Sequence, residues 1–281
     1  MSGYPEKQGL YDPSLEKDAC GVGFIVNVNG NKTASIVENG LLILKRMAHR
    51  GAVGADPKTG DGAGILIQTP HEFFVKAASE IKINLPAQGE YGTGLIFLPL
   101  DKNSADAVKK EMEKAAKECG QQVLGWRNVP VNKAVLGETA KASCPGFAQI
   151  FIKRSADIDN AEDFERKLFI IRKKSENSVR ASDIKDKKTF YVTNLSCRVF
   201  IYKGLMLPEN VADFFTDLND PLVKSAIALV HSRYSTNTFP TWDLAQPFRY
   251  LAHNGEINTI RGNINWMKSR EGLFKSSVFG D

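Results

Sequence analysis

The chain of 281 residues is 42% hydrophobic and 25% charged, the balance of a soluble globular protein, which excludes disorder or a fibrous state as its overall form. Its uncharged, largely apolar stretches, residues 91–100 among them, fall short of the ~18 residues that cross a bilayer, so no membrane partner is expected. The formal net charge of +5 comes from lysines and arginines interleaved with acids rather than gathered in a stripe, which argues against nucleic acid as a partner.

Residues 1–19 mix acidic and basic side chains with little apolar character, so no hydrophobic export signal is present and a cytoplasmic location is expected. Residues 21–28 are apolar and rich in β-branched side chains, and Asn29-Gly30-Asn31 supplies a turn, which predicts a buried strand opening a hairpin. Val37, Leu41, Leu44 and Met47 recur at helical spacing over 36–48, with Gly51 as the expected stop, so this helix delivers His49-Arg50-Gly51 at its C-terminal end. Strands are predicted over 62–69 and 92–98, with a helix from 71 to about 83 between them. Over 104–118, Val108, Met112, Ala115 and then Cys119 fall three and four apart, predicting a helix that carries Cys119 into the core.

Residues 147–153 read as a strand, and 161–175 as a helix with Phe164, Leu168 and Ile171 facing inward. The charge runs at 172–174 and 185–188 read as solvated surface. Strands follow over 189–194, 198–203 and 226–234, and Ile257, Ile260, Ile264 and Met267 space as one face of a last helix. Cys20, Cys119, Cys144 and Cys197 include no CxxC pair, so neither a disulfide framework nor a metal site is expected. Strands in groups, with helices between and after them, predict an α+β fold of sheets covered by helices rather than strict βαβ alternation.

Three short segments hold residue types suited to chemistry. Cys20 stands directly before the first strand, where Gly21 and Gly23 leave room for a ligand or another backbone, although from the residue alone a small buried cysteine at a strand end is the commoner case. Arg233, at the end of an apolar strand and the rim of a sheet, suits bidentate capture of a carboxylate or an ordinary surface ion pair. Asn254-Gly255 supplies a side-chain amide and a backbone N–H, two neutral donors able to converge on an oxyanion, or simply a tight turn.

Taken in order, Cys20-Gly21-Val22-Gly23-Phe24, His49-Arg50-Gly51-Ala52-Val53-Gly54-Ala55-Asp56, Gly60-Asp61-Gly62-Ala63-Gly64, Ser232-Arg233-Tyr234-Ser235-Thr236-Asn237 and His253-Asn254-Gly255-Glu256-Ile257-Asn258 resemble the class II glutamine amidotransferase domain that opens glutamate synthases. The segment 59–64, and Asn265-Trp266-Met267, favour that branch of the class. The resemblance implies the four-layer αββα sandwich of the N-terminal-nucleophile hydrolases. It implies a propeptide, residues 1–19, whose removal leaves Cys20 with a free α-amino group. That amine, with an unperturbed pKa of about 7.7–8.0, serves as general base for its own thiol.

The implied roles are nucleophile for Cys20, oxyanion donors for Asn254 and Gly255, and glutamine contacts for Arg50, Gly51, Arg233, Thr236 and Asn237, with Arg233 on the α-carboxylate. No metal or cofactor is implied for this segment; FMN and an iron–sulfur cluster are implied for the full-length enzyme. The implied partners are glutamine, downstream synthase domains of the same polypeptide and a small electron-transfer subunit. The family's aspartate for the substrate α-amino group, in a Ser-Asp-Ser-like stretch, has no counterpart before Asp281, so the amidotransferase domain at 20–281 is expected to be incomplete. The competing readings are another class II amidotransferase or N-terminal-nucleophile hydrolase, and a non-catalytic regulatory or interaction module.

Overall fold

In the computed structural model, residues 6–9, 12–13, 21–54, 56–235, 238–254 and 260–276 are described. Among them, strands β1 (Val22–Val26), β2 (Ala63–Gln68), β7 (Val199–Gly204) and β8 (Ile227–Ser232) form one antiparallel sheet in the order β1-β8-β2-β7. A second antiparallel sheet has the order β4-β5-β3-β6, from β3 (Tyr91–Leu98), β4 (Gln122–Asn128), β5 (Gly146–Lys153) and β6 (Tyr191–Val192). The helices are α1 (Ala34–Arg46), α2 (His71–Ser79), α3 (Lys102–Glu118), α4 (Glu138–Ala142), α5 (Ala161–Ala181), α6 (Val211–Phe214) and α7 (Ile260–Arg270). The chain therefore combines helices with two antiparallel sheets, as the α+β expectation requires.

Alternation along the strands sorts side chains between two faces. Ile65 and Ile67 of β2, Phe200 and Tyr202 of β7, and Ala228 and Val230 of β8 lie on one face of the first sheet. They share a buried cluster with Tyr91, Leu95, Phe97, Phe147 and Phe151 of the second sheet and with Phe73 and Phe74 of α2. The opposite face of the second sheet, Ile96, Leu98, Ala148, Ile150 and Ile152, packs against Val108 and Met112 of α3 and Phe164, Leu168 and Ile171 of α5. Each such valine, leucine, isoleucine, phenylalanine or methionine side chain contributes about 1.5–3 kcal/mol by leaving water. Capping supports the two long helices: Asp101 accepts the Ser104 N–H at 2.8 Å, and Asn160 accepts that of Asp163 at 2.9 Å.

Several sequence expectations need correction. The first strand opens no hairpin. The Asn29-Gly30 turn is present, with Gly30 at φ +75°, but the chain then enters α1, and β1 pairs instead with β8, Val22 opposite His231 through Val26 opposite Ile227. Helix α1 ends at Arg46, and a separate 3-10 turn, Ala48–Arg50, leads to Gly51. The predicted strand at 189–194 shortens to Tyr191–Val192, because Lys187–Thr189 form a 3-10 turn.

The run at 172–174 is not uniformly solvated. Arg172 is buried because it falls on the same helical face as Leu168, Ile171, Ser175 and Val179, and its charge is met by Glu176 at 2.8 Å. Strand β4 escaped sequence reading because Gly125, at φ +154°, breaks its alternation with a register shift. In α7 the helical spacing is realised, but Ile264 and Met267 are exposed, and Ile257 lies outside the described residues.

One buried ion pair joins the layers. Arg127 of β4 donates from Nη1 and Nη2 to the two carboxylate oxygens of Asp217 at 2.8 and 2.7 Å, and Tyr202 of β7 donates to the same carboxylate at 3.1 Å. Removing one member leaves the other charge buried and unpaired. Asp217→Ala is accordingly expected to lower the urea-unfolding free energy by about 3–5 kcal/mol; a loss under about 1 kcal/mol, the range of exposed pairs, would show that this pair is solvated.

Candidate active site

The site is built where β1 and β8 end side by side. Ser232, the last residue of β8, donates its N–H to the Gly21 carbonyl at 2.7 Å, and the Arg233 N–H reaches Gly62 O at 2.8 Å. A Cβ on Gly21 would stand 2.4 Å from Ser232 O and 3.2 Å from Asn254 Oδ1, so a side chain at 21 is excluded by strand backbone and by the Asn254 amide. A Cβ on Gly51 would lie 2.9 Å from Ser232 Oγ, which places the Ala48–Arg50 turn and Gly51 against the same strand end. Gly21, Gly51, Arg233 and Asn254, drawn from four distant parts of the sequence, therefore converge, with Arg50 next to Gly51. Cys20, Thr236, Asn237 and Gly255 lie outside the described residues.

Arg233 is half-buried, and its guanidinium donates to the Asp61 carbonyl at 3.4 Å and the Thr238 hydroxyl at 3.0 Å rather than to a carboxylate. Burial draws its pKa down while the nearby carboxylates of Asp61 and Asp243 oppose that shift. An arginine with so high an ordinary pKa stays cationic. The Asp61 carboxylate accepts the Ser235 N–H at 2.6 Å. The Gly60-Asp61-Gly62 turn thus holds the chain on both sides of Arg233.

Asn254 is positioned from behind by residues to which sequence reasoning assigned no role. Gln246 grips the neighbouring backbone at both ends: its Nε2 donates to His253 O at 3.0 Å, and its Oε1 accepts the His253 N–H at 2.9 Å. The 243–246 loop that carries Gln246 is held by Lys203 of β7, whose Nζ donates to Ala245 O at 2.7 Å, Asp243 O at 2.8 Å and the Tyr191 hydroxyl at 3.2 Å. Burial, reinforced by the positive field of Arg249, sets the Lys203 pKa well below the ordinary lysine range. Gly64 completes the seat, since a Cβ there would stand 2.6 Å from Gln246 O and 2.6 Å from Lys203 Cβ. The signal for Lys203 was a lone cation inside the apolar run Val-Phe-Ile-Tyr-Lys-Gly; Gln246 carried none.

His231 of β8 is a further polar group behind Asn254. Its Nε2 lies 2.9 Å from Asn254 Oδ1 and 3.0 Å from His253 O. Burial lowers its pKa to about 4, so the imidazole is neutral at neutral pH. Its place at the end of the apolar run Ala-Ile-Ala-Leu-Val was the available sequence signal.

Among the described residues no group of three or more His, Cys, Asp or Glu side chains is arranged to hold a metal ion, and no helix is long and apolar enough to cross a membrane. Cys119 is partly buried against the α3–α5 cluster, close to its expected place in the core. Burial raises the Cys144 thiol to about 11 and the Cys197 thiol to about 12, which marks both as inert. A cleft of about 260 Å³, lined in part by Glu165, Phe169, Arg172, Ser196 and Tyr250, touches none of Gly21, Arg233 and Asn254. Converging donors, not cavity size, define the site.

The sequence profile of the glutamine amidotransferases class-II matches residues 20–281. The chain is 48% identical over 277 residues to the glutamate synthase [NADPH] large chain of Bacillus subtilis, covering 99% of this chain and 18% of that relative. It is 43% identical to the glutamate synthase [NADH] of Schizosaccharomyces pombe, covering 99% of this chain and 13% of the relative. With the ferredoxin-dependent glutamate synthase of Oryza sativa it shares 43% identity, over 94% of this chain and 16% of the relative. The chain thus spans less than a fifth of the length of these curated relatives.

Two measurements probe this scaffold. Gln246→Leu strips two hydrogen bonds from the His253 backbone and orphans its N–H, at about 1–3 kcal/mol if that donor stays buried, while the carbonyl keeps the His231 Nε2–H; amide exchange at residue 253 should accelerate on the order of tenfold or more, with β2 and β8 unchanged. Unchanged exchange at 253 would remove Gln246 as its clamp. His231 supplies a pH signature. In the unfolded chain its imidazole gains a proton near pH 6.5, but in the fold only near about 4. Between those values the unfolded state binds more protons, so stability falls as pH falls, by about 1.4 kcal/mol per unit, and above pH 6.5 the residue adds no slope. Relative to His231→Gln, the unmodified protein should lose about 2 kcal/mol of unfolding free energy between pH 7 and 4.5; a constant difference would contradict a buried neutral His231.

Proposed function

The chain belongs to the class-II glutamine amidotransferases, and from that premise we propose that it is the glutaminase part of a glutamate synthase, releasing ammonia from glutamine for the conversion of 2-oxoglutarate to glutamate. The observation that carries this reading is the meeting of Asn254 and of Ser232, the residue before Arg233, at Gly21, the residue that follows Cys20. An amide donor for an oxyanion, and the strand end that bears a cation for an α-carboxylate, thereby lie beside Gly21, one residue after the nucleophile in sequence.

The chemistry follows from these groups. Removal of residues 1–19 exposes the Cys20 α-amino group, which accepts the thiol proton. The thiolate attacks the side-chain amide carbon of glutamine, and the negative charge that develops on oxygen is met by the Asn254 side chain and the Gly255 N–H. The C–N bond breaks as the protonated amine returns its proton to the departing nitrogen, giving ammonia and a γ-glutamyl thioester. Water then cleaves the thioester to glutamate and the free thiol. Arg233 pairs with the substrate α-carboxylate, and Arg50, Gly51, Thr236 and Asn237 complete the glutamine contacts.

The two antiparallel sheets, with α3 and α5 packed on the far face of the second, support the αββα sandwich of the N-terminal-nucleophile hydrolases. In this reading FMN and iron–sulfur chemistry belong to other parts of a longer enzyme, together with the synthase domains and a small electron-transfer subunit. A cytoplasmic location accords with this role.

N-terminal sequencing of active protein tests the amine-base mechanism: the chain should begin at Cys20, and full glutaminase activity with residues 1–19 attached would sink it. Asn254→Ala should lower kcat by on the order of 10²- to 10³-fold. An unchanged kcat would take Asn254 out of the oxyanion role.

A further inference from the structure

The geometry points to His231 as a positioning residue that fixes which edge of the Asn254 carboxamide faces the reaction. Its chemical consequence rests on the glutaminase reading above, whereas the orientation itself does not.

A backbone carbonyl can only accept a hydrogen bond, so the imidazole nitrogen 3.0 Å from His253 O must carry hydrogen, which makes Nε2 the donor. The same N–H faces the Asn254 side chain at 2.9 Å. If that amide were turned over, its NH₂ would confront the imidazole N–H donor to donor, and the 2.9 Å hydrogen bond to the Asn254 side chain would be lost. Asn254 is therefore held with Oδ1 toward His231. In a planar carboxamide this turns the amide hydrogens away from the histidine, the orientation an oxyanion donor needs.

Both anchors of this arrangement are rigid. His231 sits in a central strand, opposite Val22 of β1 on one side and Gly64 of β2 on the other. The His253 carbonyl is fixed by Gln246. Nδ1 of His231 is buried with no hydrogen-bond partner among the described residues, which suits a lone pair better than an N–H. Held neutral by burial, His231 is poorly suited to taking a proton from the nucleophile. Its role is to orient Asn254.

Glutamine at 231 can place an amide N–H where the imidazole Nε2 stands, whereas leucine has similar reach and no donor. In the full chain with Cys20 exposed, His231→Gln should retain kcat for glutamine hydrolysis within about threefold. His231→Leu should lose on the order of tenfold to a hundredfold in kcat, with KM changed less than about twofold. Adding His231→Leu to Asn254→Ala should cost nothing further, because the residue to be oriented is gone. Equal activity of the Leu and Gln variants, a change in KM alone, or a full additional loss in the double variant would each overturn the assignment.

Nitrogen-15 NMR of the unmodified protein supplies a readout that needs neither activity nor a foldable variant. The His231 ring should show a pyrrole-like Nε2 and a pyridine-like Nδ1 at pH 7, and the opposite tautomer would refute the orientation. An absence of glutamine hydrolysis with Cys20 exposed would instead refute the glutaminase reading, leaving the tautomer to decide the orientation.

Discussion

The pairing of β1 with β8 is the constraint on which the rest of the site depends. It brings Gly21 against Ser232, residues more than two hundred positions apart, through a 2.7 Å backbone hydrogen bond. Such a long-range contact closes a large loop, and its entropic cost must be offset by burial elsewhere. That burial comes from β2, which takes the other edge of β8, and from α1, whose Ile36, Val37 and Leu44 enter the core shared with Ile65 and Val230. Once β8 is fixed between its neighbours, His231 and Arg233 leave its end at set positions.

The second requirement is a loop that stays in place without strand or helix pairing. Residues 243–246 lack a ladder of their own, so their inward carbonyls need donors from elsewhere. Lys203 supplies three hydrogen bonds from one nitrogen, two of them to carbonyls of this loop. Burying a lysine is costly alone, but each hydrogen on its ammonium group is matched here, and the faces of Tyr191 and Phe248 lie within 4.5 and 4.4 Å of it. Through Gln246 this rigidity reaches His253 and then Asn254. The buried polar chain from Lys203 through Gln246 is thus a support for one side-chain amide, which explains why a hydrophobic strand carries a lysine.

Much of the fold was legible because apolar period and burial coincide. The face of Val108 and Met112 in α3, that of Phe164, Leu168 and Ile171 in α5, and the run ending β8 all pack as their spacing implies. Failures came where partners are remote. The turn after β1 looked like a hairpin because local sequence cannot show that the strand's partner lies near the far end of the chain. Arg172 looked solvated because its run was read as charge, although the helical period already placed it inward. Of the site, Arg233 and Asn254 were legible from residue chemistry with the motif order, while the supports behind them, Gln246 and Lys203, depend on carbonyls that only the folded loop presents. His231 stood in a quoted motif's approach, yet its task appears only when His253 O and Asn254 Oδ1 are seen to share its Nε2.

An electrophilic glutamine analogue such as diazo-oxo-norleucine tests the central claim most directly, because it must be bound as glutamine before it can alkylate a thiol. Peptide mapping of treated protein with Cys20 exposed is predicted to place a single label on Cys20, protected by excess glutamine, with Cys119, Cys144 and Cys197 unmodified. Label on one of those three cysteines, or no label at Cys20, would contradict a glutamine site at the paired ends of β1 and β8.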